Sequence, residues 1–311
     1  MYILLISAFF IIWCLFYSKQ HGIGKFLYES SNSMDMRAAK LRNVKKTTGN
    51  EAYSYLTNHQ PTKPSMLLLH GFSADKMIWL KYAKFASKNY NLIIPDLLGH
   101  GDIPYSEKQS YSSFEQASYV RRLIDVIDLQ GPITIVGNSM GGMIAAILAK
   151  QDITIAITGE LSKPIEIDKL VLINPAGAKT DYALQLNTVT DNPFLHQNMD
   201  DTIAFYKKVM HKPPFLPPAV MAYVAQTNYL AKKTQYAHMF CDFFNYDEFL
   251  DNAFTPNAKK VILFWGQEDQ LLPVTEAEHW VKLLSCESTI LADIGHMPMV
   301  ECPNQAYLLI H

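Results

Sequence analysis

Residues 133–142 read ITIVGNSMGG, a β-branched run of three apolar residues and a threonine leading to a serine with a glycine two positions away on either side. The helical run MGGMIAAILAK (140–150) follows directly. A buried strand that turns at once into a helix must hold Ser139 on a tight, strained turn, its hydroxyl exposed above the strand ends. Gly137 and Gly141 then let the flanking backbones pack closely, and the positive end of the helix dipole stabilises negative charge beside the serine.

The rest of the chain agrees with that constraint. Buried parallel strands read as continuous apolar runs. Such runs stand at Met66-Leu69, Leu92-Ile94, Ile133-Val136, Leu170-Ile173, Val261-Trp265 and Ser288-Leu291. Helical spacing over Phe114-Leu129, Met140-Lys150 and Thr275-Leu284 alternates with them. The expected fold class is α/β: a mainly parallel central sheet flanked by helices, with its core at 41–177 and 257–311. Residues 151–168 exceed an ordinary helix-to-strand connection and read as a surface excursion. Residues 178–256, rich in aromatics, methionine and proline, read as an inserted helical cap. At 49% hydrophobic and 18% charged the chain can bury a large core. With 27 basic against 29 acidic residues it offers no basic stripe for nucleic acid. Its four cysteines form no C-x-x-C pair, and Cys241, Cys286 and Cys302 read as small buried hydrophobes.

Tyr2 to Tyr17 (YILLISAFFIIWCLFY) is an apolar run broken only by Ser7. As a helix it would rise ~24 Å, somewhat short of the hydrocarbon core. No side-chain base precedes it and no small-residue cleavage site follows, so residues 1–20 are expected to form an uncleaved membrane anchor rather than a signal peptide. Residues 21–40 are expected to be a linker. Lys19 and Lys25 after the run favour a cytoplasmic side for the remainder.

Serine is a poor nucleophile until a base takes its proton. His296, in Asp293-Ile-Gly-His-Met-Pro298, follows the last strand where a loop could carry imidazole over Ser139. A carboxylate must then hold the other ring nitrogen. Asp269 closes the strand 261–265. Glu268 and Asp293 also lie nearby, and proximity alone does not separate them. The alternative position for the acid, after strand 170–173, is Asn174-Pro-Ala-Gly177 and holds no carboxylate, which favours Asp269. The backbone N–H groups of Met140 and of Phe72, in Leu69-His-Gly-Phe72, are the candidate oxyanion donors. His70 reads as a prop for that loop. Asp96, His100 and Asp102 could suggest a metal cluster, but PDLLGHGD more plainly shapes a turn. No metal or other cofactor is implied.

LHGF (69–72), PDLLGHG (95–101), GNSMGG (137–142), WGQEDQ (265–270) and GHMPMVECP (295–303) resemble the α/β-hydrolase superfamily over roughly residues 60–311. DNPF (191–194) and FYKKVMHKPPFLP (205–217) are similar to the cap of bacterial family V lipases. LHGFSADKMIWL (69–80) and INPAG (173–177) resemble membrane-anchored monoacylglycerol lipases. The resemblance implies a serine carboxylester hydrolase of acylglycerols, with Ser139, Asp269 and His296 as triad and Phe72 and Met140 as oxyanion donors. Phe194, Phe205, Tyr206, Phe215 and Met297 are then candidates for the acyl pocket, with Met221 and Tyr223 as further cap residues. Two rivals remain: a carbon–carbon bond hydrolase of aromatic ring-cleavage products, which shares this kind of elbow, and a catalytically inactive membrane-tethered interaction protein. The 178–256 segment holds no arginine to anchor a dienoate carboxylate, and all three triad residues are present.

Overall fold

The computed structural model describes residues 22–150, 165–188 and 192–311. The apolar run 2–17 and most of the excursion at 151–168 lie outside the described residues. Among the described residues no helix is long and apolar enough to cross a membrane.

Eight described strands form one sheet: β1 (Arg42–Thr48), β2 (Glu51–Thr57), β3 (Ser65–Leu69), β4 (Asn91–Pro95), β5 (Ile133–Asn138), β6 (Ile167–Ile173), β7 (Ala258–Gly266) and β8 (Ser288–Leu291). Their order is β1-β2-β4-β3-β5-β6-β7-β8. β1 pairs antiparallel with β2, and β2 with β4; every other described pairing is parallel. The six apolar runs read from the sequence all fall on strands. β2 escaped that reading because EAYSYLT mixes polar residues among its buried ones, and β1 because RNVKKTT is almost wholly exposed. An edge strand of this kind is recognised by its charge, which guards it against pairing with other chains, and not by an apolar run.

Helices cover both faces. α1 spans 22–38, α2 Leu80–Ala86, α3 Ser113–Val126 and α4 Met140–Ala149. Ser112 caps α3, its side chain accepting from Glu115 N–H, which satisfies a helix-end donor. α4 is buried along its whole length, as a central helix against the sheet must be.

The expected linker at 21–40 is instead largely helical. Gly24 sits so close to the cap that a Cβ there would meet Ala219 O at 2.0 Å. Tyr28 packs on Tyr223, centroids 5.6 Å apart, and Asp35 pairs with Lys84 at 2.5 Å. Two glycines and the Ser-Ser-Asn-Ser stretch weaken the intrinsic helix signal here. Docking on the cap and core supplies what propensity lacks.

Between β6 and β7 the chain builds α5 (Asp181–Thr188), α6 (Met199–Val209), α7 (Pro218–Val224) and α8 (Lys233–Phe243). The two ends of this insertion meet at a bridge between Ala178 and Leu250, where Lys179 N–H donates to Leu250 O and Leu250 N–H to Gly177 O, both at 2.8 Å. α9 (Glu276–Leu284), α10 (Pro298–Glu301) and α11 (Pro303–Leu308) complete the described helices. The cysteines are less buried than expected. Cys241 is exposed, and Cys286 and Cys302 are half-buried, because α8 turns Cys241 away from the aromatic core it carries on Tyr236, Met239, Phe240 and Phe243.

Candidate active site

β5 enters the site with every residue buried and ends in Ser139 at φ 56° and ψ −119°. That backbone is of the sparsely populated kind that costs about 1–3 kcal/mol and persists only where the surroundings enforce it. They do so here. Ser139 N–H donates to Ile173 O at 3.1 Å, and its carbonyl accepts from Gly142 at 2.9 Å and Ala176 at 3.0 Å. A Cβ on Gly137 would meet Gly141 O at 2.1 Å, and one on Gly141 would meet Leu69 O at 2.4 Å. The spacing of the two glycines is therefore a requirement of close packing.

His296 is buried on the loop after β8. Its Nδ1 donates to Asp269 Oδ2 at 2.6 Å. Asp269 Oδ1 accepts from Leu271 N–H and Leu272 N–H, both at 2.8 Å. Asn174 Nδ2 donates to Oδ2 at 2.7 Å. A carboxylate with donors on both oxygens is held in one orientation. Asp293, by contrast, is 72% exposed and faces Lys212 at 3.7 Å. Of the three acids near His296 in sequence, Asp269 is the one the fold brings to it. Ser139 and His296 line the same cavity of about 470 Å3.

Sequence reasoning missed two groups that hold this arrangement. Asn138 Nδ2 donates to Ile173 O at 3.1 Å and to His296 O at 3.0 Å, tying the serine turn to the histidine loop. Asn174 follows β6 at φ 44°, where its short polar side chain reaches Asp269. Both residues were visible in the motifs, but their partners lie 158 and 95 positions away in the chain. His296 N–H also donates to Val209 O at 2.9 Å, so the cap fixes the loop as well.

The N–H groups of Phe72 and Met140 find no acceptor among the described residues. Unpaired N–H donors near a buried serine are free to receive a ligand oxygen. The loop carrying Phe72 is propped by two histidines. His70 Nδ1 donates to Gly71 O at 2.8 Å while Nε2 accepts from Leu97 N–H at 3.0 Å. His100 Nδ1 donates to Leu98 O at 2.9 Å, and its Nε2 accepts from Ser73 N–H at 3.3 Å. Each ring is thus a neutral bridge with a defined tautomer. Burial pushes His70 down to about 4 and His100 well below the usual imidazole value. Behind them Asp96 receives Lys76 Nζ, Lys76 N–H at 3.0 Å and Asp102 N–H at 2.9 Å. The turn at 95–102 is organised by this buried ion pair.

Phe72 sits at the centre of an aromatic cluster, 4.9 Å from Phe194 and 5.5 Å from Tyr236. Phe194, Phe205, Tyr206, Phe215 and Met297 all border the cavity. Phe215 does so from the rim, being 85% exposed. Met221 and Tyr223 are not part of the wall: Tyr223 packs on Tyr28 of α1 instead. The unforeseen wall is α1 itself, which contributes Leu27, Tyr28, Ser31, Asn32 and Asp35.

Comparison with known proteins agrees with this architecture. The alpha/beta hydrolase family model matches residues 66–308, and the chain belongs to that family. Among curated relatives it is similar to Lipase 3 of Moraxella sp. (strain TA144), 29% identical over 79% of this chain and 76% of the relative. It is also similar to monoacylglycerol lipase abhd6-B of Xenopus laevis, 29% identical over 84% of this chain and 79% of the relative. The solved structure of Lip1 from Acinetobacter baumannii AYE superposes with a TM-score of 0.76 at 26% identity, covering 90% of this chain and 93% of that one.

Proposed function

We propose that the protein is a serine carboxylester hydrolase of acylglycerols, with Ser139, His296 and Asp269 as its triad. The observation that carries this reading is the His296–Asp269 hydrogen bond of 2.6 Å beside a serine held at positive φ in the same cavity. Ser139 Oγ attacks the ester carbonyl while His296 Nε2 takes its proton; Asp269 stabilises the imidazolium. The N–H groups of Phe72 and Met140 receive the negative charge that develops on the carbonyl oxygen. His296 then returns the proton to the departing alcohol, leaving an acyl-serine. Water, deprotonated by the same imidazole, attacks that ester and releases the fatty acid.

The named lipase and monoacylglycerol lipase relatives support an acylglycerol as substrate. So does the cavity wall of Phe194, Phe205, Val209 and Val224, apolar enough to take a hydrocarbon chain. No arginine lines the cavity among the described residues, which disfavours a dienoate substrate. In this reading the apolar run 2–17 holds the enzyme beside a lipid surface.

The test is a fluorophosphonate probe together with glyceride and p-nitrophenyl ester turnover. Wild-type protein should label and hydrolyse, and Ser139→Ala should do neither. Normal turnover by Ser139→Ala would exclude the mechanism, and an unlabelled, inactive wild type would favour an interaction protein.

A further inference from the structure

Three charged groups that ester cleavage does not use border the cavity, Asp35, Asp75 and Lys81, and of these Asp75 lies nearest in sequence to the oxyanion loop. Asp75 lies three residues beyond Phe72, at most ~11 Å of chain from the oxyanion donor. It borders the same cavity as Ser139. Its Oδ1 accepts from Met77 N–H at 2.8 Å. Its other oxygen has no partner among the described residues. A carboxylate left half-paired at the wall of a cavity is costly unless a ligand completes it.

Polar, uncharged side chains share its part of the cavity wall. Tyr28 is hydrogen-bonded to Asn32, and the Asp75 charge is felt at the phenols of Tyr28, Tyr206 and Tyr236. Tyr28, Asn32 and Tyr206 all border the cavity. Burial, and then the Asp96 carboxylate, pushes Asp75 up to about 6, as befits a carboxyl short of donors.

We propose that Asp75, with Tyr28, Asn32 and Tyr206, is a subsite for the alcohol portion of the substrate, binding free hydroxyl groups on the carbons next to the ester. This rests on the ester-hydrolase reading above and adds a selection for monoacylglycerols over esters of simple alcohols. Hydroxyl groups both donate and accept, which matches a wall holding a carboxylate, an amide and phenols. A cationic headgroup would leave the phenol and amide donors unanswered. It would also meet Lys81, which lines the cavity, and the nearby Lys76 and Lys232.

The experiment compares 1-oleoylglycerol with methyl oleate, which share an acyl chain and differ in hydroxyls, using the full chain in detergent. Asp75→Asn keeps the shape and an acceptor for Met77 N–H. It should lower the ratio of kcat/KM for the glycerol ester over the methyl ester by about tenfold or more, the usual penalty for a lost charged hydrogen bond. Tyr206→Phe should shift the ratio in the same direction by a smaller factor, and covers the case in which Asp75→Asn fails to fold. A ratio within twofold of wild type in the folded variants would overturn the subsite while leaving the hydrolase reading intact. Preference of the wild type for 1-oleoyl-lysophosphatidylcholine, lost in Asp75→Asn, would replace the hydroxyl site with a cation site. A wild type inactive on every ester would overturn both.

Discussion

Asn174 and His296 donate to the same oxygen of Asp269, at 2.7 and 2.6 Å. Asn174 ends β6, the strand between those carrying Ser139 and Asp269. The amide therefore fixes the carboxylate from one side while the imidazole is read from the other. Its own Oδ1 is buried without a partner, so the residue tolerates an unpaired acceptor to keep its donor in place.

Removing that donor should slow catalysis and spare binding. Asn174→Gly keeps a residue at ease at φ 44° and deletes only the amide. We expect kcat to fall about 10-fold or more, since a hydrogen bond to a charged group contributes about 1.5–3 kcal/mol. KM should change little. Steady-state kinetics on a p-nitrophenyl ester checks this, and an unaltered kcat would show that the two backbone donors suffice.

The two loop histidines predict the acid side of the stability profile. His70 and His100 stay neutral in the folded state well below the value at which the unfolded chain takes up its protons, near 6.5. Between there and about 4, the unfolded chain binds more protons than the folded one. Stability must then fall as pH falls, by about 1.4 kcal/mol per unit for each histidine. Denaturant unfolding at pH 7, 6 and 5 measures the slope. His70→Gln should flatten it, by removing one titrating group.

Truncation should separate the two N-terminal segments. Deleting residues 1–20 removes the apolar run and should move the protein from the membrane fraction to the aqueous one with its esterase activity retained. Deleting 1–40 also removes α1, hence the wall formed by Leu27 and Tyr28 and the Asp35–Lys84 pair. That form should lose both activity on long-chain esters and several degrees of thermal stability. Equal activity of the two truncated forms would show that α1 plays no part in the site.

Much of the site was legible because its chemistry is local. The serine turn needs a strand, two glycines and a helix in immediate succession, and all lie within 133–150. His296 was readable from its position after an apolar strand, and Asp269 was favoured there without being separated from Glu268 and Asp293. α1 was not, because its contacts lie with Ala219 and Tyr223, far along the chain, and its own residues mimic a linker. β1 was missed because an exposed edge strand carries no apolar run, and β2 because EAYSYLT interleaves polar residues with its buried ones. Asn138 and Asp75 looked like ordinary members of their loops until the partner of one and the unpaired oxygen of the other could be seen.

Apolar runs alternating with helical spacing, and a serine between spaced glycines, determined the parallel sheet and the position of its strained serine turn. Both follow from which backbone angles and burial each short segment can accept. Only the tertiary structure decided which acid faces His296, what walls the cavity, and which carboxylate inside it lacks a partner. Those are questions of distance between residues remote in sequence, and they are answered when β5, β6, β7 and the cap are packed together.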